Sequence, residues 1–262
     1  PYGTGTFASR IAAIVGTAVY NAALEIRGRA LKIAAHLLQE DSEQLELRSG
    51  YVVSKTRSSV KISLGEVAHH ARGIAPGTTY ALPVPPGMEV TQYFAPPGAA
   101  ITSMADMAVV ELDPETCQIK VLDYTTVHDN GRILNPLILK GQIHGGISNG
   151  LGTALYEEIV YDEQGQLLTS TLMDYLVPTA CEVPDIQLGH IETLSPLNPL
   201  GIKGAGESGT IPVPAAIQSA VEDALRAWGI KVEDIPVKPW KLRKLMKEAK
   251  QTNRVKPCAL PR

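Results

Sequence analysis

Residues 107–127 read MAVVELDPETCQIKVLDYTTV, and this stretch decides the fold class. Two runs rich in β-branched residues, 107–112 and 118–127, flank Asp113-Pro114-Glu115-Thr116, whose proline and side-chain oxygens favour a turn. Asn130-Gly131 is a second turn signal, so the segment reads as the start of a β-meander. A helical pattern follows, opened by Asn135-Pro136 and running to Glu158. Further on, 159–161 and 166–171 read as a hairpin around Asp162-Glu163-Gln164-Gly165, and 186–193 as another strand. Helices are predicted over 215–228 and from Pro239 to about residue 250.

Upstream, apolar residues recur with helical spacing over 9–39, which predicts a long amphipathic helix with one buried stripe and a possible break at Gly28. Leu45, Leu47, Tyr51 and Val53 around Ser49-Gly50 suggest a short hairpin, and Ser63 with Glu66 has capping-box spacing for a helix to Arg72. Prolines crowd 75–100, which reads as a loop crossing the surface or covering a partner. Hairpins interspersed with long helices give an α+β class, a mixed sheet packed with helices, without internal repeats. Residues 1–250 are expected to form one domain and 251–262 a loosely held tail.

The chain of 262 residues is 44% hydrophobic and 19% charged, a globular composition that excludes disorder as the main state. Its formal charge of -3 offers no basic field for nucleic acid. Cys117, Cys181 and Cys258 form no metal-binding or disulfide pattern; they read as reduced thiols, in keeping with a cytoplasmic location. No apolar run is long enough for a membrane span.

Three segments could carry chemistry. In Lys203-Gly204-Ala205-Gly206-Glu207-Ser208-Gly209 a carboxylate stands among residues that free the backbone, so Glu207 is a candidate base if desolvation tunes it. A solvated loop glutamate is the plainer alternative. The same loop matches G-x-G-x-x-G, but Pro196 and Pro199 precede it and Pro212 and Pro214 delay the helix, against a dinucleotide site. In 141–152, glycines surround Gln142, whose amide can donate and accept; either a planar ligand or tight helix packing explains them. His144 has no partner at ligand spacing and reads as structural. Residues 3–9 could cradle an anion ahead of the first helix, or simply cap it with Ser9 as N-cap. The bases Lys238, Lys241, Arg243, Lys244 and Lys247 read as a solvated helix face.

Taken in order, these three segments resemble the molybdenum-cofactor-binding subunit of the xanthine dehydrogenase, aldehyde oxidase and carbon monoxide dehydrogenase family. The likeness extends through 109–116 and 154–158 and covers about residues 1–247. The resemblance implies that Gln142 and Gly141 belong to the cofactor site, with Gln142 hydrogen-bonding an oxygen ligand of the metal. Thr6, Phe7, Ala8 and Ser9 would hold the pterin and its phosphate, Gly206 would also belong to the cofactor site, and Glu207 would be the base. No metal ligand would come directly from protein. The implied reaction inserts a water-derived oxygen at an electron-poor carbon of an aldehyde or N-heterocycle. The implied cofactor is a molybdenum–pterin, with a cytosine dinucleotide as one form, and iron–sulfur clusters and FAD would reside on other chains. The expected partners are the N-terminal part of the catalytic subunit, an iron–sulfur subunit, a flavin subunit and a small-molecule substrate.

Family subunits carry a long segment ahead of the Pro1-Tyr2-Gly3 motif, so this chain corresponds to the C-terminal part and is expected to be inactive alone. Purine-oxidising relatives tend to have prolines after the glutamate, where this loop has Ser208-Gly209. That leans toward the aldehyde, nicotinate or carbon-monoxide-type branches. A non-catalytic scaffold of the same fold and a nicotinamide-dependent dehydrogenase are the competing functions.

Overall fold

The structure, a computed structural model, describes residues 5–57, 59–72 and 82–251. The Pro1-Tyr2-Gly3 motif, Cys258, most of the expected tail and part of the proline-rich stretch lie outside the described residues. The chain divides into two compact units, Pro1–Ala13 with Pro97–Arg262, and Ile14–Pro96.

In the first unit, β4 (Ser103–Leu112) and β5 (Ile119–Asp129) pair antiparallel across the Asp113 turn, as the opening stretch predicts. The Asp113 carboxylate fixes that turn, accepting from Glu115 N at 2.8 Å and Thr116 Oγ1 at 2.6 Å. The meander does not continue, because β6 (Ile186–Ile191) adds parallel to β5. Parallel neighbours need a crossover connection. Here it contains α3 (Pro136–Leu151), capped by Asn135 Oδ1 accepting from Ile138 N at 3.1 Å. A π-helical turn, Gly152–Tyr156, ends α3. The hairpin expected at 159–171 is reduced to one bridge, Tyr161 to Leu167. The side chains of Thr169 and Asp162 bond to backbone there in place of a continued ladder.

Leu139, Ile143, Ile147 and Leu151 recur every fourth residue on α3, and Val213, Ile217 and Val221 do the same on α4 (Val213–Ala224). These rows form one core with Tyr124 of β5 and Leu242 and Met246 of α5 (Pro239–Gln251). Burying an isoleucine such as Ile143 contributes roughly 1.5–3 kcal/mol. Two of the bases read as a solvated face are instead paired and mostly covered. Glu158 accepts from Lys238 at 2.8 Å and Lys241 at 3.3 Å, and the Lys238 contact leads in holding its pKa below the usual range.

The helix α1 (Ile11–Leu38) is continuous through Gly28, and its residues from Ile14 belong to the second unit. Only part of its stripe is buried: Ala30, Ile33 and Ala34 join the core, whereas Val15 and Val19 remain exposed. The second core is completed by Leu45 of β1 (Leu45–Arg48), Val52 of β2 (Tyr51–Ser54) and Val67 of α2 (Leu64–Ala71), with β3 (Lys61–Ser63) pairing β2. The predicted capping box is present, Ser63 Oγ accepting from Glu66 N while Glu66 Oε2 accepts from Ser63 N.

Candidate active site

Three stretches far apart in sequence meet in the first unit. Ser9 Oγ donates to Glu207 Oε2 at 2.8 Å, and Glu207 N donates back to Ser9 Oγ at 2.8 Å. This reciprocal pair spans 198 residues of chain. It is made possible by backbone strain, because Ala8 and Ser9 both have left-handed φ, 53° and 52°. Such conformations in non-glycine residues cost about 1–3 kcal/mol each and persist only where surrounding contacts hold them. The hydroxyl therefore serves Glu207 and not the helix: α1 starts at Ile11, and the N-cap role read for Ser9 is overturned. A side chain on Gly204 would place its Cβ 3.0 Å from Ser9 Cβ, so glycine is what lets the two loops approach.

The glycine loop also rests on α3. A Cβ on Gly209 would lie 2.6 Å from Ile143 O, and one on Gly146 would lie 2.9 Å from Gly209 Cα. Packing thus explains Gly146 and Gly150, the latter set against Val213 and Thr210 O. Gly141 and Gly145, flanking Gln142, have nothing within 4 Å of where a Cβ would stand. The glycines of α3 fall into two groups, one set packed against protein and one facing open space.

A cavity of about 420 Å³ opens between these elements, with Thr6, Ser9, Asn130, Gln142, Lys203 and Gly206 in its wall. Of the other expected site residues, Phe7, Ala8, Gly141 and Glu207 lie outside that wall. Phe7 is exposed and carries the Arg10 guanidinium 3.8 Å above its ring. Two larger clefts, about 890 and 680 Å³, line β4–β5 and α5 and contain none of the candidate side chains.

The family model described as the molybdopterin cofactor-binding domain matches residues 1–184. The chain belongs to that family. The nicotine 6-hydroxylase large subunit of Paenarthrobacter nicotinovorans is 36% identical over 92% of this chain and 29% of the relative. The carbon monoxide dehydrogenase large chain of Hydrogenophaga pseudoflava is 34% identical over 95% of this chain and 30% of its own. Quinoline 2-oxidoreductase from Pseudomonas putida 86 superposes with a TM-score of 0.81 at 38% identity, covering 94% of this chain and 31% of that one. The chain therefore spans about 30% of the length of these relatives.

The residues present fit a molybdopterin cofactor. The cavity volume lies within the range of small-molecule and cofactor sites. The open glycine face beside Gln142 leaves room for a flat group that a Cβ would obstruct. Among the described residues no cluster of three or more His, Cys, Asp or Glu could hold a metal. His144 is half-buried, its Nε2 has no hydrogen-bond partner among the described residues, and burial pushes its pKa down. The dinucleotide reading of 204–209 lacks its framework, since Ile202 makes only an isolated bridge and α4 begins at Val213, past the last glycine.

Glu207 is exposed. The desolvation that would tune a base is not supplied by the described residues.

Sequence reasoning missed the Asp129-Asn130-Gly131 turn as part of the site, taking Asn130-Gly131 for a plain turn. Asp129 accepts from Lys203 Nζ at 2.8 Å, Gly131 N at 3.0 Å and Thr193 N at 3.1 Å. Burial alone would raise its pKa, but the Lys203 ammonium and the two backbone N–H groups outweigh that and hold it well below the usual carboxylate range. The available signal was an acidic and an amide side chain side by side where a strand ends.

Proposed function

We propose that this chain forms one wall of the active site of a molybdenum hydroxylase that oxidises an aldehyde or N-heterocycle, with Glu207 as base. The reading rests on one observation above all: Glu207 is clamped to Ser9, and Ser9 shares the wall of one cavity with Gln142. The names nicotine 6-hydroxylase and quinoline 2-oxidoreductase, given to proteins similar to this one, favour an N-heterocycle.

The cofactor, when bound, supplies the oxidising power for removing two electrons from the substrate. In the net reaction a C–H bond and water become a C–OH group, with two electrons and two protons released. Ser9 orients the carboxylate by holding Oε2, and Oε1, unpaired among the described residues, is the atom that receives one proton. Gln142 offers an amide donor and acceptor to the cofactor, while Thr6 and Ser9 hold its organic part. The rest of the subunit excludes water from the exposed carboxylate. Iron–sulfur and flavin groups on partner chains would supply the route for the electrons, and this chain alone would not turn over.

The test is Glu207→Gln in the assembled enzyme. Turnover is expected to fall about 10²–10⁴-fold with molybdenum content unchanged. Unchanged turnover ends the base assignment, and an assembly free of molybdenum makes the chain a scaffold.

A further inference from the structure

We propose that Asn130 is a positioning residue for the loop that carries Glu207, an inference that rests on Glu207 being the base. The β5 face that buries Tyr124, Thr126 and His128 ends at Asn130, which is 4% exposed. Asn130 Nδ2 donates to Gly204 O at 2.8 Å and to Thr102 Oγ1 at 2.9 Å, with Ser208 Oγ at 3.5 Å. The two N–H groups of the amide thus go to Gly204 and Thr102, which grips the loop ahead of Glu207, and Ser208 lies at the edge of reach beyond it. Thr102 Oγ1 donates onward to Asp129 O at 2.7 Å, which anchors the grip to the strand end. Backbone bonds set the register, Lys203 N donating to Asn130 O at 2.9 Å and Arg132 N to Gly201 O at 3.0 Å.

The other end of the same amide shows what the residue is for. Asn130 Oδ1 is buried and has no hydrogen-bond partner among the described residues. An orphaned buried acceptor destabilises a fold, so a residue kept only to fill space would be apolar. What Asn130 gives in return is its nitrogen, on the carbonyl of Gly204. That glycine lies against Ser9, and Ser9 Oγ in turn holds both the backbone and the carboxylate of Glu207. Release of Gly204 lets the loop lift and uncouples Glu207 from Ser9. The Asp129–Lys203 pair cannot substitute, because it fixes a side chain at 203 and leaves the 204 carbonyl unheld.

The experiment uses the assembled holoenzyme with Asn130→Ala and the near-isosteric Asn130→Asp, which keeps the shape but loses the donor when ionised. Amide exchange in 204–209 is expected to rise about tenfold, as for loss of one good hydrogen bond, with β4 and β5 unchanged. Turnover should show a kcat lowered about tenfold or more at nearly constant KM, since the base acts only in the transition state. Molybdenum content should equal that of the parent. Unchanged loop exchange in both variants overturns the proposal, as does a uniform rise in exchange with loss of molybdenum in both. Should Asn130→Ala unfold, Asn130→Asp decides alone by the same two readings. Full turnover in Glu207→Gln would remove the base but leave the exchange result standing, so the two failures are separable.

Discussion

Adding one methyl group at either of two glycines, five positions apart on α3, should have opposite effects. Alanine is favoured over glycine in a helix interior by about 1 kcal/mol, a gain available at both sites. At Gly141 the new Cβ meets nothing within 4 Å, so Gly141→Ala keeps the whole gain. At Gly146 it would stand 2.9 Å from two Gly209 backbone atoms and 3.0 Å from Thr210 N. Backbone cannot rotate away, and overpacking of this kind costs about 1–3 kcal/mol. Gly146→Ala is therefore destabilised by up to about 2 kcal/mol net, and the two variants differ by about 1–3 kcal/mol. The assay is thermal unfolding of both variants in the same assembled complex, followed by metal analysis. Gly141→Ala should unfold at the higher temperature yet carry less molybdenum, because its methyl enters the face beside Gln142. Equal destabilisation at both sites would refute the division of the glycines. Full molybdenum loading of a stabilised Gly141→Ala protein would refute the assignment of that face to the cofactor.

Two further outcomes concern acid stability. Asp129 has a depressed folded-state pKa, so the stability it contributes is fully present above its unfolded value of about 3.9 and is lost as pH falls toward the folded value. Denaturation midpoints measured from pH 6 to pH 2 should show a shallower acid limb for Asp129→Asn, and an unchanged limb would contradict the Lys203 pairing. Asp106 shows the reverse. Both its oxygens are buried and meet no hydrogen-bond geometry among the described residues, and burial pushes its pKa up, only partly offset by the nearby Thr126, His128 and Tyr124. Its ionisation therefore destabilises the fold as pH rises through the unfolded value of about 3.9 to the folded one. Asp106→Asn should raise the unfolding temperature at pH 7 and lose that advantage near pH 3; a lower temperature at pH 7 would count against it.

Local features were legible because local physics sets them. The Asp113 turn, the Ser63–Glu66 capping box and the Asn135-Pro136 helix start each depend on residues within a few positions of one another. The 159–171 hairpin was over-read in length because turn residues and alternating side chains extend a hairpin only where a neighbouring strand or core supports the ladder, and here one bridge forms, flanked by backbone bonds from Asp162 N to Gln166 O and from Leu168 N to Val160 O. The stripe on α1 was over-read for a related reason, since periodicity shows which face is apolar and not whether anything covers it.

By itself the sequence determined most of the elements, the α+β class and the three glycine-bearing segments, all of which follow from spacing and backbone preference. Tertiary structure alone decided that β6 runs parallel beside β5, that Ser9 serves Glu207 in place of capping α1, and which glycines pack and which lie open. It also decided that Asn130, read as a turn residue, reaches the loop that carries Glu207. These contacts join residues up to 198 positions apart, and no local propensity encodes them. They arise when the faces of β5, α3 and α4 bury together, because that burial brings the glycine loop onto α3 and leaves its polar groups only these partners.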